Sequence, residues 1–143
     1  MQKKSSPGIY IHLPFCSVHC VYCDFPITTR LSLSERYYRA LLDELHERIP
    51  PLADTLYFGG GTPSLAPIEV LQEVIASIPL EASAEITLEA NPDHVSKQKL
   101  VQWRETGINR LSLGLQSLED QPLRLMLRQH SPPEGLEAIR MAR

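Results

Sequence analysis

Thr55-Leu56-Tyr57-Phe58-Gly59-Gly60-Gly61 joins a short strand pattern to three consecutive glycines. Thr55 to Phe58 reads as a strand, and the glycines cut it off. An amphipathic stretch lies on each side. Ahead of it, Tyr38, Leu41, Leu42, Leu45 and Ile49 share one helical face, with Ser32 and Glu35 at capping-box spacing and Pro50-Pro51 as the stop. Behind it, Pro67 suits a first helical turn, and Val70, Leu71, Val74, Ile75 and Ile78 form a buried stripe.

The same unit recurs along the chain. Gly8 to Leu13 reads as a first strand ending at Pro14, and Glu85 to Glu89 as a third. A helix from about Val95 to Thr106 turns Leu100 and Trp103 inward and stops at Gly107. Arg110 to Leu115 reads as a fourth strand, followed by a helical region running on to Arg143. Strands alternating with helices in this way predict an α/β fold of about four βα units on a parallel sheet. A closed (β/α) barrel needs roughly 200 residues or more, and this chain has 143. The expectation is therefore a partial TIM-type barrel, with residues 1–143 as the truncated N-terminal part of a larger domain.

Composition excludes several classes. Hydrophobic residues at 43% and charged residues at 22% suit an ordinary globular chain. A net charge of -3, with no Lys/Arg cluster, argues against a nucleic-acid surface. The apolar runs are too short to span a membrane. The opening residues lack the apolar core of a signal peptide, so a cytoplasmic setting is expected.

All three cysteines fall within eight positions, Cys16-Ser17-Val18-His19-Cys20-Val21-Tyr22-Cys23. An odd, tight set is a poor disulfide framework and suits metal binding in a reducing compartment. Three thiolates on a cubane iron–sulfur cluster leave one iron open to a small molecule. Zinc held by the three cysteines with His19 or His12 is an alternative, and so are three plain buried thiols. Spacing alone leaves all three open.

Four segments narrow the choice. Tyr10-Ile11-His12-Leu13-Pro14-Phe15-Cys16, Phe58-Gly59-Gly60-Gly61-Thr62-Pro63-Ser64, Leu88-Glu89-Ala90-Asn91-Pro92 and Leu113-Gly114-Leu115-Gln116-Ser117 stand in order at strand ends. With the C-x3-C-x2-C motif and Tyr22 before its last cysteine, they resemble the radical S-adenosylmethionine (SAM) family. Within it they are similar to the oxygen-independent coproporphyrinogen III dehydrogenases and their haem-chaperone relatives of the HemW type. The resemblance runs from Gly8 onward and leaves a zinc-stabilised, non-catalytic interaction module as a remote alternative.

The resemblance implies that Cys16, Cys20 and Cys23 hold a [4Fe–4S] cluster. S-adenosyl-L-methionine would chelate its open iron and be split there by one electron to a 5′-deoxyadenosyl radical. The chemistry would belong to the cofactor, the positioning to the protein. Gly60 and Gly61 would let the backbone approach the amino-acid moiety, and Thr62 would add a hydroxyl. The Glu89 carboxylate would accept from a ribose or an ammonium group, and Gln116 would offer an amide. Tyr10 matches a cofactor-contacting tyrosine, with a core aromatic as its rival reading. Tyr22 would lie near the adenine or the cluster, or only pack the loop. Arg128 matches an arginine near the cofactor carboxylate, although Leu127 stands where the family often has glycine. His12 also matches a recurrent position, and His46, His94 and His130 receive no role.

The dehydrogenases of this family carry a further cysteine two residues after the third, where this chain has Phe25 in Cys23-Asp24-Phe25. That departure resembles the chaperone branch, which binds haem and passes it to acceptor proteins. The branch's His-Asn-x-x-Tyr-Trp haem motif lies late in full-length proteins. Here the single tryptophan is Trp103 and no such motif is present. Haem or porphyrinogen, a flavodoxin- or ferredoxin-type electron donor and haem-acceptor proteins are the implied partners. A strand edge left uncovered after the fourth strand would leave the chain poorly active and poorly soluble by itself.

Overall fold

The computed structural model describes residues 6–48 and 52–143. Ile49 and Pro50-Pro51, expected at the end of the first helix, lie outside them. Strands β1 (Gly8–Leu13), β2 (Ala53–Gly60), β3 (Leu80–Ala90) and β4 (Arg110–Leu113) form one sheet. All neighbours are parallel, in the order β1-β2-β3-β4. Helices α1 (Ser34–Glu47), α2 (Ile68–Ala76) and α3 (Lys97–Glu105) make the crossovers, and α4 (Asp120–Leu125) and α5 (Pro132–Ala142) follow β4. This is the expected α/β architecture of four βα units.

The sheet has two unlike faces because side chains alternate along each strand. Ile11, Leu13, Leu56, Phe58 and Leu88 point to one side and are buried. Tyr38 and Leu45 of α1, Leu71 and Val74 of α2, Trp103 of α3 and Ala138 of α5 join them in the core. The other side is polar. Tyr10 and Tyr57 stack there with ring centroids 6.0 Å apart, and Arg110 reaches Glu85 at 3.2 Å.

Several boundaries differ from the sequence expectation. Strands β2 and β3 are longer, since backbone pairing with a neighbour carries each strand past its apolar run. Strand β4 stops at Leu113, because Leu115 and Ser117 bond back to Leu113 and Leu115 in a loop. Ser32 does not cap α1. It sits in a 3-10 turn, Leu31–Leu33, and Glu35 pairs with Arg39 instead. The capping box appears at Ser131 and Glu134, where it opens α5. The helical region after β4 is two helices rather than one, because Leu127 takes a left-handed φ of 58° and Pro132-Pro133 begin a new helix. Gly107, at φ 105°, ends the turn after α3 as expected.

Candidate functional site

Strand β1 runs straight into the cysteine loop. The loop is pinched at its neck, where Cys16 N–H donates to Thr28 O at 3.0 Å and Thr28 N–H donates to Pro14 O at 2.8 Å. Inside it, Cys23 N–H donates to Cys20 O at 3.1 Å, which closes a tight turn between these two cysteines. His19 Nε2–H braces the turn on Cys23 O, and His12 Nε2–H holds Pro26 O at 2.9 Å. With that proton on Nε2, His12 Nδ1 accepts from the Tyr10 hydroxyl at 3.1 Å, so neither ring nitrogen is left for a metal.

The glycine strip lies directly against this loop. Gly61 N–H donates to Leu13 O at 2.9 Å and Thr62 N–H to Phe15 O at 2.8 Å, continuing the β1–β2 pairing beyond the strands. A β-carbon on Gly61 would stand 2.8 Å from both Cys16 Sγ and Phe15 O. The bareness of Gly61 is thus required first by the cysteine loop itself. Gly60 has φ 118°, which favours glycine, and its N–H donates to Glu89 Oε2 at 3.2 Å. The Thr62 hydroxyl donates to Cys16 Sγ at 3.4 Å. Burial pushes the Cys16 thiol up, while that hydrogen bond and the Arg128 charge pull it back toward the thiolate.

One cavity of about 420 Å³ gathers these groups, well within the range of small-molecule sites. Cys16, Cys20, Cys23 and Tyr22 line it from the first loop, and Gly60, Gly61 and Thr62 from the second. Glu89 lines it from the end of β3, with Gln116 and Arg128 from beyond β4. The wall is therefore built at the C-terminal ends of all four strands, where barrel sites form.

Glu89 is oriented by Tyr57, whose hydroxyl donates to Oε1 at 2.7 Å. Gln116 has a left-handed φ of 68°, which marks a strained turn at the cavity wall. Arg128 Nη2 donates to Asn91 Oδ1 at 2.7 Å and to Gly114 O at 2.6 Å, while its buried Nε has no partner. Burial raises the pKa of the Tyr22 phenol, which lies by Arg128 and Cys20.

Tyr10 is the assigned residue that stands apart. It is not in the cavity wall, and at 55% exposure it is not a core aromatic either. It lies on the polar sheet face between Tyr57 and His12. Asn91, Ser112 and Tyr57 take part in or support the site without having been singled out. Asn91 stood inside a quoted motif, and its place right after a strand end was the available signal.

Among the described residues no group of three His, Cys, Asp or Glu side chains is drawn together tightly enough for a single metal ion. Three thiols of one loop that line an open cavity beside a bare glycine strip fit a cluster ligated at its corners.

A family model described as the Radical SAM superfamily matches residues 10–143. The chain belongs to that superfamily. It is 35% identical over 152 residues to the heme chaperone HemW of Escherichia coli, covering 99% of this chain and 40% of that protein. It is 37% identical over 151 residues to the mitochondrial radical S-adenosyl methionine domain-containing protein 1 of Bos taurus, covering 96% and 34%. Among solved structures, coproporphyrinogen III oxidase (HemN) of Escherichia coli, described as a radical SAM enzyme, superposes with a TM-score of 0.84 at 26% identity. That match covers 96% of this chain and 34% of the other. The chain thus spans two-fifths or less of the length of these radical SAM relatives, which a [4Fe–4S] cluster and S-adenosylmethionine characterise as a superfamily. No helix among the described residues is long and apolar enough to cross a membrane.

Proposed function

We propose that Cys16, Cys20 and Cys23 hold a [4Fe–4S] cluster with S-adenosyl-L-methionine beside it, in a protein that carries haem to acceptor proteins. One observation carries the cofactor reading. The three cysteines of a single loop share a cavity with Thr62 from beyond β2, Glu89 at the end of β3, and Gln116 and Arg128 from beyond β4. When bound, the cluster and S-adenosylmethionine supply one-electron reductive cleavage of a carbon–sulfur bond.

Each residue has a task that follows from its chemistry. The Thr62 hydroxyl donates to Cys16 Sγ and favours the thiolate that iron needs. Arg128 turns a guanidinium to the cavity and suits a carboxylate. Glu89 is held by Tyr57 and Gly60, so its remaining lone pairs can accept from an ammonium or a ribose hydroxyl. Gly60 and Gly61 leave backbone bare at the wall, Gln116 offers an amide, and Tyr22 offers a flat ring near the loop. Tyr10 stands exposed on the polar sheet face beside Tyr57 and His12, outside the cavity wall.

Phe25, standing where the dehydrogenases have a further cysteine, and the likeness to heme chaperone HemW favour haem delivery over catalysis. The fold likeness to coproporphyrinogen III oxidase supports a second reading, oxidative decarboxylation of coproporphyrinogen III. Residues 1–143 would be part of a larger radical SAM core in either case. A cytoplasmic setting, a flavodoxin- or ferredoxin-type electron donor and contact with haem or porphyrinogen belong to the proposal.

Anaerobic reconstitution is the test of the cofactor. About four irons and four sulfides per chain are expected, with a spectral response to S-adenosylmethionine, and Cys→Ala at 16, 20 or 23 should abolish both. Stoichiometric zinc without sulfide would refute it. Assay of the longer protein with coproporphyrinogen III separates the two functions: vinyl products favour the dehydrogenase, and haem binding without turnover favours the chaperone.

A further inference from the structure

We propose that Asn91 is the positioning residue that fixes the Arg128 guanidinium at the cavity and so sets the affinity of the site for a carboxylate-bearing ligand. The inference rests on the reading that Arg128 receives the carboxylate of the amino-acid moiety.

The backbone anchors only the main chain of Arg128: past the end of α4, Leu127 turns the chain at φ 58° and Arg128 N–H donates back to Leu123 O at 2.9 Å. Its side chain is held instead by two acceptors from two other segments. Asn91 Oδ1 accepts from Nη2 at 2.7 Å, and Gly114 O accepts from the same nitrogen at 2.6 Å. Nη2 carries two hydrogens, so both are committed to the protein. Nε is buried with no partner, and the guanidinium lines the cavity beside Tyr22.

Asn91 is suited to hold a charge in place. It directly follows β3 and opens the 3-10 turn Pro92–His94, where His94 N–H donates back to Asn91 O at 3.0 Å. That turn is tied down by a 2.8 Å hydrogen bond between His94 Nδ1 and the Ser64 hydroxyl, beyond the glycine strip. Gly114 closes the arrangement from the other side. A β-carbon there would lie 3.2 Å from Arg128 Nη2 and 3.4 Å from Asn91 Oδ1, so the pair is packed against bare backbone. The chemistry of the acceptor also matters. A carboxylate at position 91 would hold Arg128 equally well but cancel its charge. A neutral amide fixes the guanidinium and leaves its full positive charge for an anion.

The test uses the longer cluster-loaded protein and two probes, S-adenosylmethionine and its decarboxylated form, which lacks the carboxylate. Asn91→Ala should keep the iron and sulfide content and bind S-adenosylmethionine about tenfold more weakly, the scale of a hydrogen bond to a charged group. Its affinity for the decarboxylated probe should not change. In an Arg128→Ala background the same substitution should add no further loss. Asn91→Asp keeps the acceptor and the turn, so it decides the matter even where the alanine variant fails to load iron. It should weaken S-adenosylmethionine binding and leave the decarboxylated probe bound at least as tightly. Equal losses on both probes, a loss that persists without Arg128, or unchanged binding of S-adenosylmethionine by either variant overturns the proposal while leaving the cofactor site standing. A wild-type protein with a complete cluster that binds neither probe overturns both the proposal and the reading beneath it.

Discussion

A β-carbon at Gly61 would meet Cys16 Sγ and the Phe15 carbonyl at 2.8 Å, and the carbonyl cannot rotate away as a flexible side chain would. Gly61→Ala is therefore expected to push the cysteine loop off the glycine strip. A loss of roughly 1–3 kcal/mol in urea unfolding should accompany reduced iron loading. Unchanged iron content would show that the loop tolerates the shift. His94 gives a pH dependence. Burial pushes its pKa below the ordinary imidazole value, with Asp93 opposing and Lys99 and Arg128 adding to the fall. The unfolded chain then binds more protons than the native one at mildly acid pH. Stability is full above the unfolded value, near pH 6.5, and falls as the pH drops toward the native value. Buried His130 acts in the same direction. His94→Gln should flatten the acid side of a plot of urea midpoint against pH, and an unaltered slope would assign the effect elsewhere. Residues of this kind differ in how far sequence reveals them. The places of the cysteines, Gly60, Gly61 and Glu89 at the cavity were legible because each stands at or just beyond a strand end. Asn91 was not, since its role is a contact with a side chain 37 positions away.

Helix starts divide in a similar way. Ser32 and Glu35 have the spacing of a capping box, yet a 3-10 turn occupies that place and α1 begins at Ser34 without a side-chain cap. Ser96 does cap α3, accepting from Lys99 N–H at 3.2 Å. Ser96→Ala should cost about 1 kcal/mol, the usual value of an N-cap, whereas Ser32→Ala should stay within about 0.5 kcal/mol. Parallel urea titrations would check this, and equal losses would contradict it. The four strands and their parallel βα arrangement were legible because apolar runs, amphipathic stretches and turn residues are written in the chain itself. Their lengths were not, since Ala53 and Leu80 are strand residues only through pairing with each other. The break between α4 and α5 turned on the left-handed Leu127, a conformation that leucine composition does not announce.

Across the molecule, the described sheet has free edges at β1 and β4. Beside β4, Leu111, Leu113, Ile139 and Met141 line an open groove. Unpaired strand edges next to apolar surface invite further pairing. The 143-residue chain by itself is expected to self-associate at micromolar concentration, as sedimentation velocity would register. A monodisperse monomer would argue that the β4 edge is adequately protected.

The sheet order β1-β2-β3-β4 follows the chain without a single transposition. Each strand after the first pairs with the strand made just before it. Of the groups that line the cavity, the cysteines, the glycine strip and Glu89 all precede Arg128 in the chain, so the guanidinium is among the last of them to be synthesised.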